Sequence, residues 1–566
     1  MSKFGEFLDK KFQLTEKGTD VRTEVTAGIV TFMTMVYILM VNAGMFGDLG
    51  SGYFGAVYIA TAISAVVGTL LIGLMAKLPL AQASGMGLNA FFVYTVCFGM
   101  NFTYANALLF VLIDGVVFIL LTVTGLRKAI FNAIPDAVKV AIPAGIGLFI
   151  AFLGLQNAGI VVNDDSTLLK LVSMNFIGDA TWAGFMPILV TLAALIATVA
   201  MSKKNVKGAI LWALLGGAVL YYLLGLTVSG FYNPEAITYI KDEAGAITGY
   251  TSNYFLGYAA TTDANGVITG YVANTLNWNP LSAFKDFGTM AVGKVFTEGF
   301  NFSAFLNSEG GSVASLVLLL ITTSLAFCMV DMFDTLGTLY GACARGNLLD
   351  ENGEVPNINR AMMADAVATC VGAICGTSTV TTFVESSAGI GEGGRTGLVS
   401  IVVAICFFVA MFLSPIAQLI PSAATAAALI YVGVLMMNCV TKIDWLDPAA
   451  AFPAFVTIAM MPFTYNISNG IGLGLIVYVL VKLCTGKIKE INITTVVSAC
   501  CLPRCSSLRI DNQRTYKRPA ASAAGRFFYT KSSFFSWARS FSSAFFSIRD
   551  MYDREIFKKH ATSRCA

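Results

Sequence analysis

Apolar runs of roughly twenty residues alternate with short polar breaks along positions 1–489, and a run of that length crosses a bilayer as an α-helix. Reading from break to break predicts spans at 25–45, 54–76, 80–98, 104–124, 137–154, 184–201 and 208–228. After a polar stretch at 229–312 come 313–341, 358–376, 378–392, 396–414, 421–438, 449–464 and 467–484. The expected fold is an all-α polytopic membrane protein with 14 transmembrane segments. The third and tenth, 80–98 and 378–392, are poor full spans, because glycine and polar residues interrupt them, and are expected as broken half-spans carrying short extended segments. In the tenth, TTFVESSAGIGEGGRTG places Glu385 just before Gly389, Gly391, Gly393 and Gly394. Each glycine costs about 1 kcal/mol against alanine in a helix interior. A helix that breaks beside a carboxylate at membrane depth reads as a binding site.

The two halves resemble one another. IPDAVKVAIPAGIGLFIAFL from Ile134 matches IPSAATAAALIYVGVLMMNCV from Ile420, Pro187-Ile-Leu-Val-Thr matches Pro453-Ala-Phe-Val-Thr, and QASGMGLNA matches VESSAGIGE. Two units of seven spans must be inverted relative to each other, because seven is odd. A 7+7 inverted repeat with paired broken helices marks a secondary transporter that binds its substrate where the breaks meet. Lysine and arginine set the orientation: they precede the first span (Lys3, Lys10, Lys11, Lys17, Arg22) and recur at Lys77, Arg127, Lys128, Lys203, Lys204 and Lys207. These positions flank the N-terminus or even-numbered connections, which places that side in the cytoplasm. The stretch 229–312, with seven acids and three lysines, falls opposite.

Composition agrees. Of 566 residues 56% are apolar and 12% charged, with a mean hydropathy of +0.73, which excludes an ordinary soluble domain. The charged N-terminal segment lacks the features of a cleavable signal peptide. A net charge of +3 implies no nucleic-acid partner. Cys97, Cys328, Cys343, Cys370, Cys375, Cys406 and Cys439 lie in apolar segments without metal-ligand spacing and read as small hydrophobes. His560 is the single histidine and lies in the tail, so carboxylates are left for any proton chemistry. No catalytic constellation, metal site or cofactor motif emerges. From Glu490 onward the composition shifts to nine arginines, twelve serines and four cysteines. Two readings of this tail stay open: an out-of-frame end, or a basic aromatic interfacial segment around Arg526 to Phe546.

Few residues within the spans carry chemistry. Asp331 and Asp334, three apart on one helix, are expected on one side of it. Glu385 sits in apolar surroundings, whereas Glu392 reads as an edge charge paired with Arg395. Asn89, at the matching break, offers donors and an acceptor to a heterocycle edge or to exposed backbone. Phe383, Phe91 and Phe92 could stack on a planar ligand or pack between helices. Ser84, Gly85, Gly87, Ser386 and Gly389 supply backbone at the breaks. Asp114 reads as a polar helix contact without an assigned role.

VTAGIVTFMTMVYILMVN, ASGMGLNAFFVYTV, VDMFDTLGTLYG and VESSAGIGEGGRTGL, in this order, resemble the signature segments of the AzgA-like permeases. These form the adenine, guanine and hypoxanthine branch of the nucleobase:cation symporter-2 (xanthine/uracil permease) superfamily, and the resemblance runs from about residue 4 to residue 489. It implies a cytoplasmic N-terminus (1–24), a core domain of spans 1–4 (25–124) and 8–11 (313–414), and a gate domain of spans 5–7 (125–228) and 12–14 (415–489). An extracellular loop (229–312) and the atypical tail (490–566) complete the chain. It also implies proton-coupled purine uptake at the cell membrane, cytoplasmic termini and a homodimer. Asn89, Asp331 and Glu385 map onto substrate-binding positions, with Asp334 implicated beside them and a proton carried by Asp334 or Asp331. The alternatives are a sulfate-like anion transporter or a uracil or xanthine permease on the same scaffold. The acids disfavour an anion. An intramembrane aspartyl protease would need aspartates from separate helices, and filter-like rings of a channel are not evident.

Overall fold

The computed structural model describes residues 3–487 except 51, 126–134, 165–166, 175–180, 242–246, 257, 263–267, 275–277, 308–311 and 352. Arg127, Lys128 and the whole tail from Glu490 lie outside the described residues. Among the described residues ten helices are long and apolar enough to cross a bilayer: Val21–Gly47, Tyr53–Ala76, Tyr104–Thr124, Asp136–Asn157, Trp182–Lys203, Val313–Arg345, Ile358–Cys375, Gly397–Ala417, Ser422–Lys442 and Ile467–Cys484. Met86–Gly99, Ala209–Gly225 and Pro448–Phe463 are apolar but shorter, and Ser386–Gly391 is shorter still. Ten of the expected spans fall on the long helices and three on the shorter ones, while 378–392 holds strand Val380–Thr382 and the six-residue helix Ser386–Gly391. These helices lie in one compact unit; the strands Val161–Asp164 and Leu168–Leu171 pair in a small hairpin.

Many helices carry large apolar side chains on their outer surface as well as inside. Leu120, Val123, Ile196, Trp212, Val219, Leu223, Ile321, Ile405, Phe408 and Phe455 are all exposed. Such extensive apolar exposure is the mark of a lipid-facing surface. Helix starts are set by short polar side chains that satisfy the first free N–H groups: Asp20, Thr103, Thr181, Ser312, Thr396, Asp447 and Asn466 each accept from the first turn that follows.

Several contacts between helices repeat between the halves. Gly147 and Gly433, equivalent in the alignment of Ile134 with Ile420, cross face to face: a Cβ on Gly147 would lie 2.6 Å from the Gly433 oxygen, and one on Gly433 2.4 Å from the Gly147 oxygen. No other residue fits at such a crossing. Thr191 donates to the Pro187 carbonyl at 2.9 Å and Thr457 to the Pro453 carbonyl at 2.9 Å, so both Pro-x-x-x-Thr turns carry the same hydroxyl bond back to the carbonyl four residues earlier.

Within 229–312 the described residues form two antiparallel hairpins, Thr238–Lys241 with Ile247–Thr251 and Tyr258–Thr262 with Ile268–Ala273. Each contains the sequence Ile-Thr-Gly-Tyr, and the two tyrosines, Tyr250 and Tyr271, pack ring on ring at 4.6 Å.

Candidate functional site

Strand Gln82–Ser84 pairs antiparallel with strand Val380–Thr382, Gln82 opposite Thr382 and Ser84 opposite Val380, in the middle of the helical body. Extended backbone at membrane depth survives only if every polar group finds a partner inside the protein. The ladder is extended by Gly85 N–H to Thr379 O and Phe383 N–H to Ala81 O, both 3.0 Å. The flanking helices complete it in matching fashion. Thr69 receives the Gln82 N–H and donates to the Gln82 carbonyl, each at 3.0 Å. Thr369 receives the Val380 N–H at 3.1 Å and lies 3.3 Å from the Val380 carbonyl. After each strand a short helix begins, at Met86 and at Ser386.

Glu385 is the residue before the second of these helices. Its Oε1 accepts a 2.7 Å hydrogen bond from the Tyr37 hydroxyl, which also lies 3.7 Å from Met86 Sδ. Tyr37 follows Val36, where the first long helix is irregular and Thr34 bonds back to the Val30 and Thr31 carbonyls. Asn89 anchors the other break: its Oδ1 accepts from Ser84 Oγ at 2.7 Å, while its Nδ2 makes only a 3.5 Å contact to the Ser84 carbonyl. Ser84 is in turn bonded by Thr377 at 3.0 Å, and Asn42 donates to Thr61 at 2.7 Å and to Thr377 at 3.0 Å.

Asp331 and Asp334 do not share an environment, although three-residue spacing put them on one side of the helix. Asp334, partly exposed, lies beside Thr381 and Glu385. Asp331 is fully buried and turns to helix Ile358–Cys375, where Thr369 donates to its Oδ2 at 3.2 Å. There the two helices exchange partners: Thr335, four residues after Asp331, donates to Asp365 Oδ1 at 2.9 Å, and Thr369 follows Asp365 by four. Gln82 Nε2 also donates to Asp365 at 2.9 Å, tying this Asp/Thr clasp to the first strand. A helical pattern of Asp-x-x-x-Thr in both 331–335 and 365–369 was the sequence signal for the clasp, and it passed unnoticed along with Tyr37 and Asn42.

The aromatic and glycine candidates divide between ligand and packing. Phe383 is buried beside the crossing. Phe91 packs edge-on against Phe327 at 4.8 Å, and Phe92 against Phe46 at 4.9 Å, so both serve the core. Ser386 Oγ accepts from Ala81 N–H at 3.0 Å, joining the two breaks. A Cβ on Gly85 would meet Thr381 Oγ1 at 2.9 Å, and one on Gly87 would meet Ile467 and Ile146 at 3.0 and 3.1 Å. At Gly389 it would lie 2.1 Å from Thr31 Oγ1, so this glycine lets the short helix touch the first long one.

Glu392 pairs with Lys207 at 2.6 Å rather than with Arg395. The guanidinium of Arg395 is directed instead to the Ile390 and Gly394 carbonyls, both at 2.8 Å, capping the end of the broken helix. Glu24, fully buried, receives Arg395 N–H at 2.8 Å, Thr396 N–H at 3.3 Å and Thr396 Oγ1 at 2.6 Å. Glu24→Gln removes the charge and one acceptor, and the expected loss is about 1–3 kcal/mol of stability. It is read as a lowered unfolding midpoint of the purified protein in detergent; an unchanged midpoint contradicts the assignment. A separate cavity of about 380 Å³ is lined by Tyr53, Tyr104, Met290, Lys294, Glu298 and Asn301 and by none of the candidate residues.

Apolar helices exposed on their outer faces, with buried acids and amides gathered where two broken segments cross, define a membrane transporter. The chain belongs to the xanthine/uracil permeases: the profile described as Permease family matches residues 22–244 and 266–473. It is 36% identical over 492 residues to the guanine/hypoxanthine permease PbuO of Bacillus subtilis, covering 86% of this chain and 98% of that one. It is 34% identical over 495 residues to the adenine permease AdeQ of Escherichia coli, covering 87% and 94%. The fold is similar to that of the transmembrane domain of a cyanobacterium bicarbonate transporter, BicA, with a TM-score of 0.52 at 15% identity over 81% of this chain and 97% of that one.

Proposed function

We propose that this chain takes up purine nucleobases, hypoxanthine, guanine and adenine, across the cell membrane by proton symport with alternating access. The observation that carries the reading is Glu385, a carboxylate held by Tyr37 at the crossing of the two broken segments, in a chain whose full-length relatives are purine permeases. Purine rings present N–H donors and ring-nitrogen acceptors on adjacent edges. Glu385 lies at the crossing with Asp334, partly exposed, beside it, so these two are the acids placed to accept from a purine. Charge-assisted bonds of this kind are roughly twice as strong as neutral ones. The Asn89 amide, loosely held at 3.5 Å, supplies a donor to the opposite edge, and Phe383 supplies a ring face.

The architecture behind this function is fourteen segments in a seven-plus-seven inverted repeat, with both termini cytoplasmic. Support comes from the paired devices of the two halves: Gly147 with Gly433, Thr191 with Thr457, and Thr69 with Thr369. The core comprises 25–124 and 313–414 and carries both breaks. The gate comprises 125–228 and 415–489, and Ile146 and Ile467 from it lie over Gly87. Movement of the core against this cover exposes the site alternately, in a protein that assembles as a homodimer. A bicarbonate transporter shares the fold at an identity too low to bear on substrate, and the buried acids here repel an anion.

Equilibrium binding of labelled hypoxanthine to the purified chain, with unlabelled guanine, adenine, uracil, xanthine and sulfate as competitors, tests the substrate class. Hypoxanthine, guanine and adenine are expected to compete, and sulfate is not. Displacement by uracil alone contradicts the reading. Asn89→Ala is expected to weaken hypoxanthine about tenfold, the worth of roughly one hydrogen bond.

A further inference from the structure

We infer that Asp114 and Asp331 together form the seat of the coupling proton, buried where helices Tyr104–Thr124, Val313–Arg345 and Ile358–Cys375 pack and apart from the nucleobase. The inference rests on the transport reading above. Asp114 comes from helix Tyr104–Thr124 and Asp331 from Val313–Arg345, and both are fully buried. Among the described residues neither oxygen of Asp114 meets an N–H or O–H donor, the Cys328 thiol being the donor beside it, and Oδ1 of Asp331 meets none either. A Cβ on Gly115 would lie 2.6 Å from Cys370 Sγ and 3.3 Å from the Ala366 carbonyl, so the backbone beside Asp114 rides directly on helix Ile358–Cys375. The groups acting on Asp331 are Asp365 from that helix, Asp114, and Asp334 from its own. The Cys328 thiol lies beside both Asp114 and Asp331, and Cys370 beside Asp114. Apart from the Thr369 hydroxyl these are acids and weakly donating thiols, and none is a cation.

Buried carboxyls facing one another without a cation leave oxygens that can only accept, an arrangement that costs several kcal/mol per unpaired ion. One proton turns such a pair into donor and acceptor. The structure also supplies a route from this proton to the substrate. The Thr369 hydroxyl lies 3.2 Å from Asp331 Oδ2 and 3.3 Å from the Val380 carbonyl, and it has a single proton to give. A charged Asp331 draws that proton; a neutral one releases it to Val380, in the strand that runs on to Phe383 and Glu385. Protonation thereby changes how the strand is held, which is the differential interaction that coupling between two sites requires. In each cycle one proton enters from the outside and leaves to the inside with the purine.

The test uses the full chain reconstituted in proteoliposomes, with hypoxanthine as the probe. Asp114→Asn is expected to keep hypoxanthine affinity within about threefold and to keep counterflow, because it touches no substrate group. Accumulation driven by a pH gradient is expected to fall at least about tenfold, and alkalinisation of the outer medium during uptake to disappear. Asp114→Glu retains a carboxyl one methylene further out and is expected to keep accumulation with a displaced pH midpoint. Wild-type accumulation by Asp114→Asn, or loss of hypoxanthine binding together with transport at normal membrane levels, overturns the inference. So does an unmoved midpoint in Asp114→Glu, or accumulation by the wild type that follows a sodium gradient instead. Failure of the wild type to bind any purine overturns the transport reading itself, and is distinguished by the binding arm.

Discussion

Glu385→Ala is expected to abolish saturable hypoxanthine uptake while the protein still reaches the membrane in normal amount. The carboxylate is the acceptor placed at the crossing, and a hydrogen bond to a charged group contributes about 1.5–3 kcal/mol, or roughly ten- to hundredfold in affinity. Alanine loses this and also leaves the Tyr37 hydroxyl without its 2.7 Å partner. Glu385→Gln separates the two effects. It keeps an oxygen for Tyr37 but removes the charge, so the expected loss remains at least about tenfold. Tyr37→Phe should cost less, about threefold to tenfold, since it removes only a neutral donor that orients Glu385. Uptake and surface level are measured together; near-wild-type affinity in Glu385→Gln contradicts the role of the carboxylate.

Gly397→Val is expected to remove the folded protein from the membrane altogether. Gly397 opens the helix that follows the second break, and a Cβ there would lie 2.0 Å from the Gly73 carbonyl oxygen and 2.8 Å from its carbon. The obstacle is backbone of helix Tyr53–Ala76, which cannot rotate aside as a side chain can. Ser400 fixes the same junction by donating to the Leu78 and Leu80 carbonyls at 2.9 and 2.6 Å. This corner positions the chain entering strand Gln82–Ser84. Membrane levels by immunoblot and the unfolding midpoint of any purified product provide the check. Wild-type levels of monodisperse protein mean that the helices do not cross as closely as described.

Periodicity alone located the membrane segments because a helix surrounded by lipid must be apolar on all sides, and that signal does not depend on tertiary context. The breaks were legible only in part: the glycines pointed to Gly389–Gly394, yet Ser386–Gly391 is helical and the extended stretch is Val380–Thr382, ahead of Glu385, because it pairs with Gln82–Ser84. Side-chain direction was not legible. Asp331 and Asp334 share a helix side by spacing, yet one turns to Thr369 and the other towards Glu385, because the surrounding helices differ along that side. Tyr37 is one apolar-looking position in VYILMVN, and only the approach of the tenth segment makes it a site residue. Glu392 was assigned to its sequence neighbour Arg395 and is paired with Lys207, 185 positions away, because Arg395 is directed to carbonyls at the helix end. Asp114 carries no local motif, and the Asp-x-x-x-Thr of Asp365 and Thr369 does not say which helix it meets. Their meaning depends on which helices are neighbours, and one sequence does not state that.

Uptake of labelled hypoxanthine by the full chain, expressed in a host lacking its own purine transporters and measured with and without a protonophore, tests the central claim most directly. The account predicts saturable uptake, inhibited by guanine and adenine, collapsed by the protonophore and absent in Glu385→Ala. Uptake of uracil or sulfate without uptake of any purine would contradict it.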